Sequence, residues 1–91
     1  MPFDGTELSP VTQALIAGRR KIESGWCQGA GRVRGSVCAA AAISDGPAEA
    51  VLLLQRIIGT PYIADWNDVP GRTKDEILAA YDRAIALSFQ S

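Results

Sequence analysis

Residues Ile63 to Glu76 read Ile-Ala-Asp-Trp-Asn-Asp-Val-Pro-Gly-Arg-Thr-Lys-Asp-Glu, and they gather the side chains best suited to chemistry or recognition. Trp66 is followed at once by Asn67 and Asp68, whose short polar side chains readily bond nearby backbone. One expectation is therefore an Asx-type turn with the Trp66 ring plugged into the core. The functional alternative is a polar patch in which Trp66, Asn67 and Asp68 meet a partner at a loop surface. Pro70-Gly71 specifies a turn, and Arg72 stands immediately before a helix start. Helix N-termini attract anions through free N–H groups and the macrodipole, so Gly71-Arg72-Thr73 is a candidate anion cradle. An internal ion pair from Arg72 to Asp65, Asp68 or Asp75 is the simpler expectation. The spacing is not that of a Walker A loop. Those three aspartates are also the carboxylates that a metal-dependent enzyme would need, since hard cations take clustered oxygen ligands. They lie on a loop and a helix start, and nothing in their spacing requires them to converge.

Two further groups merit the same weighing. Trp26-Cys27-Gln28-Gly29 has the look of a thiol nucleophile, but a reactive cysteine needs thiolate character and an adjacent base. The chain contains no histidine. That removes Ser-His-Asp and Cys-His catalysis, histidine-ligated zinc and histidine pH switching. Two cysteines, Cys27 and Cys38, are too few for a cysteine-rich zinc site. Cys27 is expected to be a buried structural thiol, and the pair to be reduced rather than bridged. Arg19, Arg20, Lys21, Arg32 and Arg34 form a locally basic segment opposed only by Glu23. It reads either as a solvated helix face with a polar turn, or as a contact for an acidic partner or a nucleic-acid backbone. The formal net charge of -1 disfavours dedicated nucleic-acid binding, which draws its affinity from a basic surplus.

Four helices are expected to carry these groups. Ser9-Pro10 opens the first, with Ser9 as N-cap and Pro10 at the first helical position. Val11, Ala14, Leu15, Gly18 and Ile22 share one face, and Gly25 is placed for a left-handed C-cap. Trp26 to Ser36 is rich in glycine and arginine. Gly31-Arg32-Val33-Arg34-Gly35 fits either a hairpin tip or an ordered loop. Val37 to Ile43 is apolar throughout and rich in alanine, the pattern of a short buried helix around which others pack. Ser44-Asp45-Gly46-Pro47 restarts the chain, with a cap at Asp45 or Gly46 and Pro47 just inside a helix running to Ile58. Gly59 then lies past its end. The apolar set of this helix (Val51, Leu52, Leu53, Leu54, Ile57, Ile58) is wider than a one-sided helix requires, which points to packing on two sides or to a shared face with a partner. Thr73 and Glu76 form a capping box for the last helix, with Ile77, Leu78, Tyr81, Ile85 and Phe89 as its apolar stripe.

The chain of 91 residues is apolar at 47% and charged at 21%, which fits one globular domain and argues against disorder. No run approaches the roughly 20 apolar residues of a membrane span. Met1 to Glu7 reads as a loose arm, and its first residues lack the basic and apolar regions of a secretory leader, so a cytoplasmic protein is expected.

The chain resembles a family of short bacterial and phage proteins classed only as a domain of unknown function. The resemblance rests on Gly25-Trp26-Cys27-Gln28-Gly29, on Cys38-Ala39 opening an alanine-rich helix, and on Trp66-Asn67-Asp68 with Pro70-Gly71-Arg72-Thr73. It spans the chain from about the first helix to the last. In sequences like this one, the stretch between the two cysteine positions is often longer and richer in Asp and Gly. The resemblance implies a bacterial or phage-like origin and brings no activity and no site residues. Together these features lead to a mainly α domain of four helices, with a short Gly/Arg-rich hairpin or loop between the first two. The expected role is non-enzymatic binding, to a protein or to a second copy of the chain, with no cofactor. Nucleic-acid contact through the basic segment is the alternative, and a carboxylate metal enzyme a more distant one.

Overall fold

The computed structural model describes residues 8–90, and the expected arm at residues 1–7 lies outside them. The described chain is mainly helical with one small strand pair: α1 (Pro10–Ser24), β1 (Arg32–Val33), β2 (Ser36–Val37), α2 (Ala39–Ile43), α3 (Ala48–Ile58), α4 (Ile63–Asn67) and α5 (Lys74–Ser88). The helices number five among the described residues rather than four. The addition is α4, a single turn where the sequence suggests a loop. A five-residue helix has too little length for a periodic pattern, and isolated helices this short do not hold in water. Tertiary bonds hold it, as described below.

The starts of α1 and α5 and the end of α3 fall on the signals read from the sequence. Ser9 caps α1, its Oγ accepting the Thr12 N–H at 3.1 Å, with Pro10 following. The α1 face that is buried comprises Thr12, Leu15, Gly18 and Ile22. Gly25 ends the helix, but with φ of 177° it is extended rather than left-handed. Space fixes glycine there: a Cβ would lie 2.8 Å from Ser36 Oγ. The stretch after it forms a hairpin, Arg32 opposite Val37 and Val33 opposite Ser36. Arg34 and Gly35 turn the hairpin with φ of 47° and 85°, the double positive φ of a two-residue type I′ turn. Gly25 and Cys27 clamp β2 from its other side, through Val37 N–H to Gly25 O at 2.9 Å and Cys27 N–H to Val37 O at 3.1 Å.

Cys38 caps α2, its Sγ accepting the Ala41 N–H at 3.3 Å. Ala39, Ala42 and Ile43 are buried, and α2 packs against α1, α3 and α4, the central position its all-apolar sequence implies. Pro47, not Asp45 or Gly46, is the N-cap of α3, without a side-chain cap bond. Asp45 instead faces Lys21 and Arg32, 3.9 Å from each. Gly59 closes α3 in the left-handed conformation at φ of 82°.

The capping box of α5 is complete, with Thr73 Oγ1 accepting Glu76 N–H at 3.2 Å and Glu76 Oε1 accepting Thr73 N–H at 2.8 Å. Its buried face is Ile77, Ala80, Tyr81, Ala84 and Ser88. Leu78 and Ile85 are only partly buried, and Phe89 is exposed, so the apolar stripe read from the sequence is displaced towards the small residues. The displacement follows from α5 packing against both α1 and α3, where alanines permit close approach. At the α1–α5 crossing, a Cβ on Gly18 would stand 2.8 Å from Tyr81 Cε2. The buried Tyr81 hydroxyl donates to Ala39 O at 2.7 Å, tying α5 to α2. Its burial raises the phenol well above the ordinary tyrosine range. Leu15, Ile22, Ile43, Leu54, Ile77 and Tyr81 fill the centre.

Candidate functional site

Asn67 is fully buried at 0% exposure, and every hydrogen-bonding position of its amide is used. Its Oδ1 accepts from Trp26 Nε1 at 2.6 Å and from Ala39 N at 2.9 Å. Its Nδ2 donates to Cys27 O at 3.0 Å and to Asp68 Oδ1 at 2.9 Å. One side chain thus joins α4, the strand leading to the hairpin and the start of α2. The expected Asx turn on local backbone is not what Asn67 makes; apart from Asp68, its partners lie 28 to 41 residues away. Asp68 adds a second tie, accepting Gly29 N–H at 2.9 Å. That N–H, followed by the Asn67 amide, holds the Asp68 carboxyl below its usual range. Gln28 completes the join, its Nε2 donating to Asn67 O at 2.9 Å and Val69 O at 3.1 Å.

Arg72 is equally engaged. Its guanidinium lies over the Trp66 ring at 4.2 Å from the centroid, within cation–π range. Its Nε donates to Trp66 O at 3.0 Å, satisfying a carbonyl at the end of α4, and its Nη1 stands 3.5 Å from Glu76. The ion pair is therefore with Glu76, not with Asp65, Asp68 or Asp75. The Trp66 ring is half-buried against the core beneath this cation rather than plugged into it. The Thr73 N–H and then Arg72 lower the Glu76 carboxyl. At this helix start Glu76 answers the Thr73 N–H, and the Thr73 hydroxyl answers that of Glu76.

The thiols separate by role. Cys38 is buried as the α2 cap, whereas Cys27 is half-buried, and both are free. The Cys27 Sγ donates to Ala30 O at 3.2 Å. Desolvation first, then the neighbouring Cys38 and Asp68, pushes its thiol up, opposite to what a nucleophile needs. Asp65, Asp68 and Asp75 do not assemble: among the described residues, no three His, Cys, Asp or Glu side chains form a group able to hold a metal ion.

The basic segment is partly paired. Arg19 bonds Asp82 across α1–α5 and lies 3.2 Å from Glu23, contacts that raise its already high pKa, Asp82 foremost. Lys21 and Arg32 share Asp45. Arg20 and Arg34 make no ion pair among the described residues. The sequence-flagged residues therefore fall into two separate sets: Trp66, Asn67, Asp68 and Arg72 in one joint, and the cations spread over α1 and the hairpin.

A different surface stands open. Leu52, on the outer face of α3, is 60% exposed. With Val11, Glu49, Leu53 and Arg56 it lines a shallow apolar groove of about 320 Å³. A second groove of about 380 Å³ runs between α2, α3 and α4 past Ser44, Gln55 and Tyr62. The width of the α3 apolar set is the sequence signal for the Leu52 face. Sequence alone does not say which of six apolar side chains stays outside. No helix among the described residues is long and apolar enough to cross a membrane.

The class that the structure defines is a mainly helical fold with one small strand pair, joined at Trp26 and Asn67. The model of a family of unknown function, DUF6197, matches residues 6–87, and the chain belongs to that family. No match was found among curated proteins or among solved structures.

Proposed function

We propose that the protein is a non-enzymatic, cytoplasmic binding module of bacterial or phage origin whose docking surface is the outer face of α3. The observation that carries this reading is Leu52, a large apolar side chain held in water between Glu49 and Arg56 beside a groove. Burying a fully exposed leucine stabilises by roughly 1.5–3 kcal/mol, and Leu52, 60% exposed, offers a partner about that fraction of it. The competing sites are occupied from within: Asn67 spends its amide on the fold, and Arg72 is committed to Trp66 and Glu76. The nucleic-acid alternative is weakened by Glu23, Asp82 and Asp45, which stand among the cations of the basic segment and offset their charge, and by a formal net charge of -1.

A photoreactive residue at position 52, expressed in the native host, tests the assignment. The same residue at position 83, on the exposed side of α5, serves as control. Crosslinked protein adducts at 52 and not at 83 are expected. Equal labelling at both positions, or none at 52, would remove α3 as the docking surface.

A further inference from the structure

We infer that the occupant of the α3 face is a second copy of this chain, two α3 helices packing antiparallel about a two-fold axis that passes between Leu52 and Leu53. The inference rests on the docking surface proposed above and names its partner. The four residues that line the groove from α3 read Glu49-x-x-Leu52-Leu53-x-x-Arg56. At 100° per residue they fall within a stripe about 100° wide, the width of one helix contact face. The pattern reverses onto itself with inversion of charge. Turning the helix end for end about the Leu52–Leu53 midpoint exchanges Leu52 with Leu53 and Glu49 with Arg56. An antiparallel pair therefore places Glu49 beside the partner's Arg56, and Arg56 beside the partner's Glu49, with four leucines between. A parallel pair would set like charge against like charge.

The charges are free to do this. Neither Glu49 nor Arg56 makes an ion pair or a side-chain hydrogen bond among the described residues. Seven residues of helix separate them by about 10.5 Å along the axis, too far to pair with each other. A two-fold interface uses the same patch on both copies, which is what a charge-inverting palindrome supplies. Two turns of helix and the flanking Val11 make a small interface, below the roughly 1,200 Å² of standard complexes, so the dimer is reversible and of low affinity.

Sedimentation equilibrium of the purified full chain, from ~10 µM to ~1 mM, reads it in the range expected for so small an interface. Concentration-dependent dimerisation is expected, weakened at least tenfold by Glu49→Arg or Arg56→Glu alone. The combined E49R/R56E variant restores it to near the original affinity, because the exchanged charges again meet in opposite pairs. Leu52→Glu abolishes the dimer with an unchanged melting temperature. A folded double variant that stays as weak as either single change overturns the antiparallel arrangement. A chain monomeric throughout the range overturns the inference. If position 52 still crosslinks to another protein in the host, the docking surface stands with a different partner. If Leu52→Glu instead lowers the melting temperature of a monomer, residues of the same chain fill the groove, and both readings fall.

Discussion

At the scale of single residues, Asn67 has the clearest physical role. A buried amide is favourable only when its hydrogen bonds are answered, and here Trp26, Ala39, Cys27 and Asp68 answer all of them. Asn67→Ala strands the Trp26 indole N–H, the Ala39 N–H and the Cys27 carbonyl together. The expected loss is roughly 3 kcal/mol or more, at 1–3 kcal/mol for each unsatisfied buried group. Chemical denaturation measures it, and a loss under about 1 kcal/mol would mean that water replaces the amide without strain. The sequence drew attention to Trp66-Asn67-Asp68 because such residues shape turns. It did not disclose that Asn67 serves the other tryptophan, since a bond across 41 residues leaves no trace in local spacing.

At the scale of elements, the crossing of α1 and α5 turns on Gly18. In an isolated helix Ala is favoured over Gly by about 1 kcal/mol. Here the added methyl would meet Tyr81 Cε2 at 2.8 Å and the Ala42 carbonyl oxygen at 3.1 Å. Tyr81 cannot easily retreat, because its hydroxyl is bound to Ala39 O. Gly18→Ala is therefore expected to destabilise by about 1–2 kcal/mol net, the cost of overpacking exceeding the propensity gain. A thermal or denaturant melt decides the sign, and a stabilised variant would show that Tyr81 shifts freely. The capped helices were legible because Ser9, Thr73 with Glu76, and Gly59 act through bonds only a few residues long. The turn α4 was not, because Arg72 and the distant partners of Asn67 hold it from outside its own span.

At the scale of the molecule, the depressed carboxyls set the acid response. Asp68 and Glu76 are both held below their ordinary pKa, by Gly29 N–H and by Thr73 N–H respectively. A carboxyl with a lower pKa when folded binds fewer protons in the native state than in the unfolded state, so stability rises with pH across that interval. The contribution is present above the unfolded value near 4, and it is lost as pH falls through the folded value. The melting temperature is thus expected to fall as pH drops below about 4. Asp68→Asn keeps an acceptor for Gly29 but cannot be protonated, so its melting curve should decline less steeply there. Calorimetry between about pH 6 and 2.5 compares them, and identical slopes would show that Asp68 is not part of the acid response.

The sequence by itself determined the helical class, the caps at Ser9, Gly59 and Thr73 with Glu76, the central placing of the alanine segment and the absence of histidine chemistry. Each follows from local bonds, from periodicity or from composition. Only the tertiary structure decided that Asn67 and Arg72 close on their own chain, that Asp82 pairs with Arg19 and Asp45 stands between Lys21 and Arg32, and that Leu52 is the apolar side chain of α3 left in water. These are outcomes of which surfaces meet, and long-range packing assigns partners among side chains that the sequence leaves equivalent.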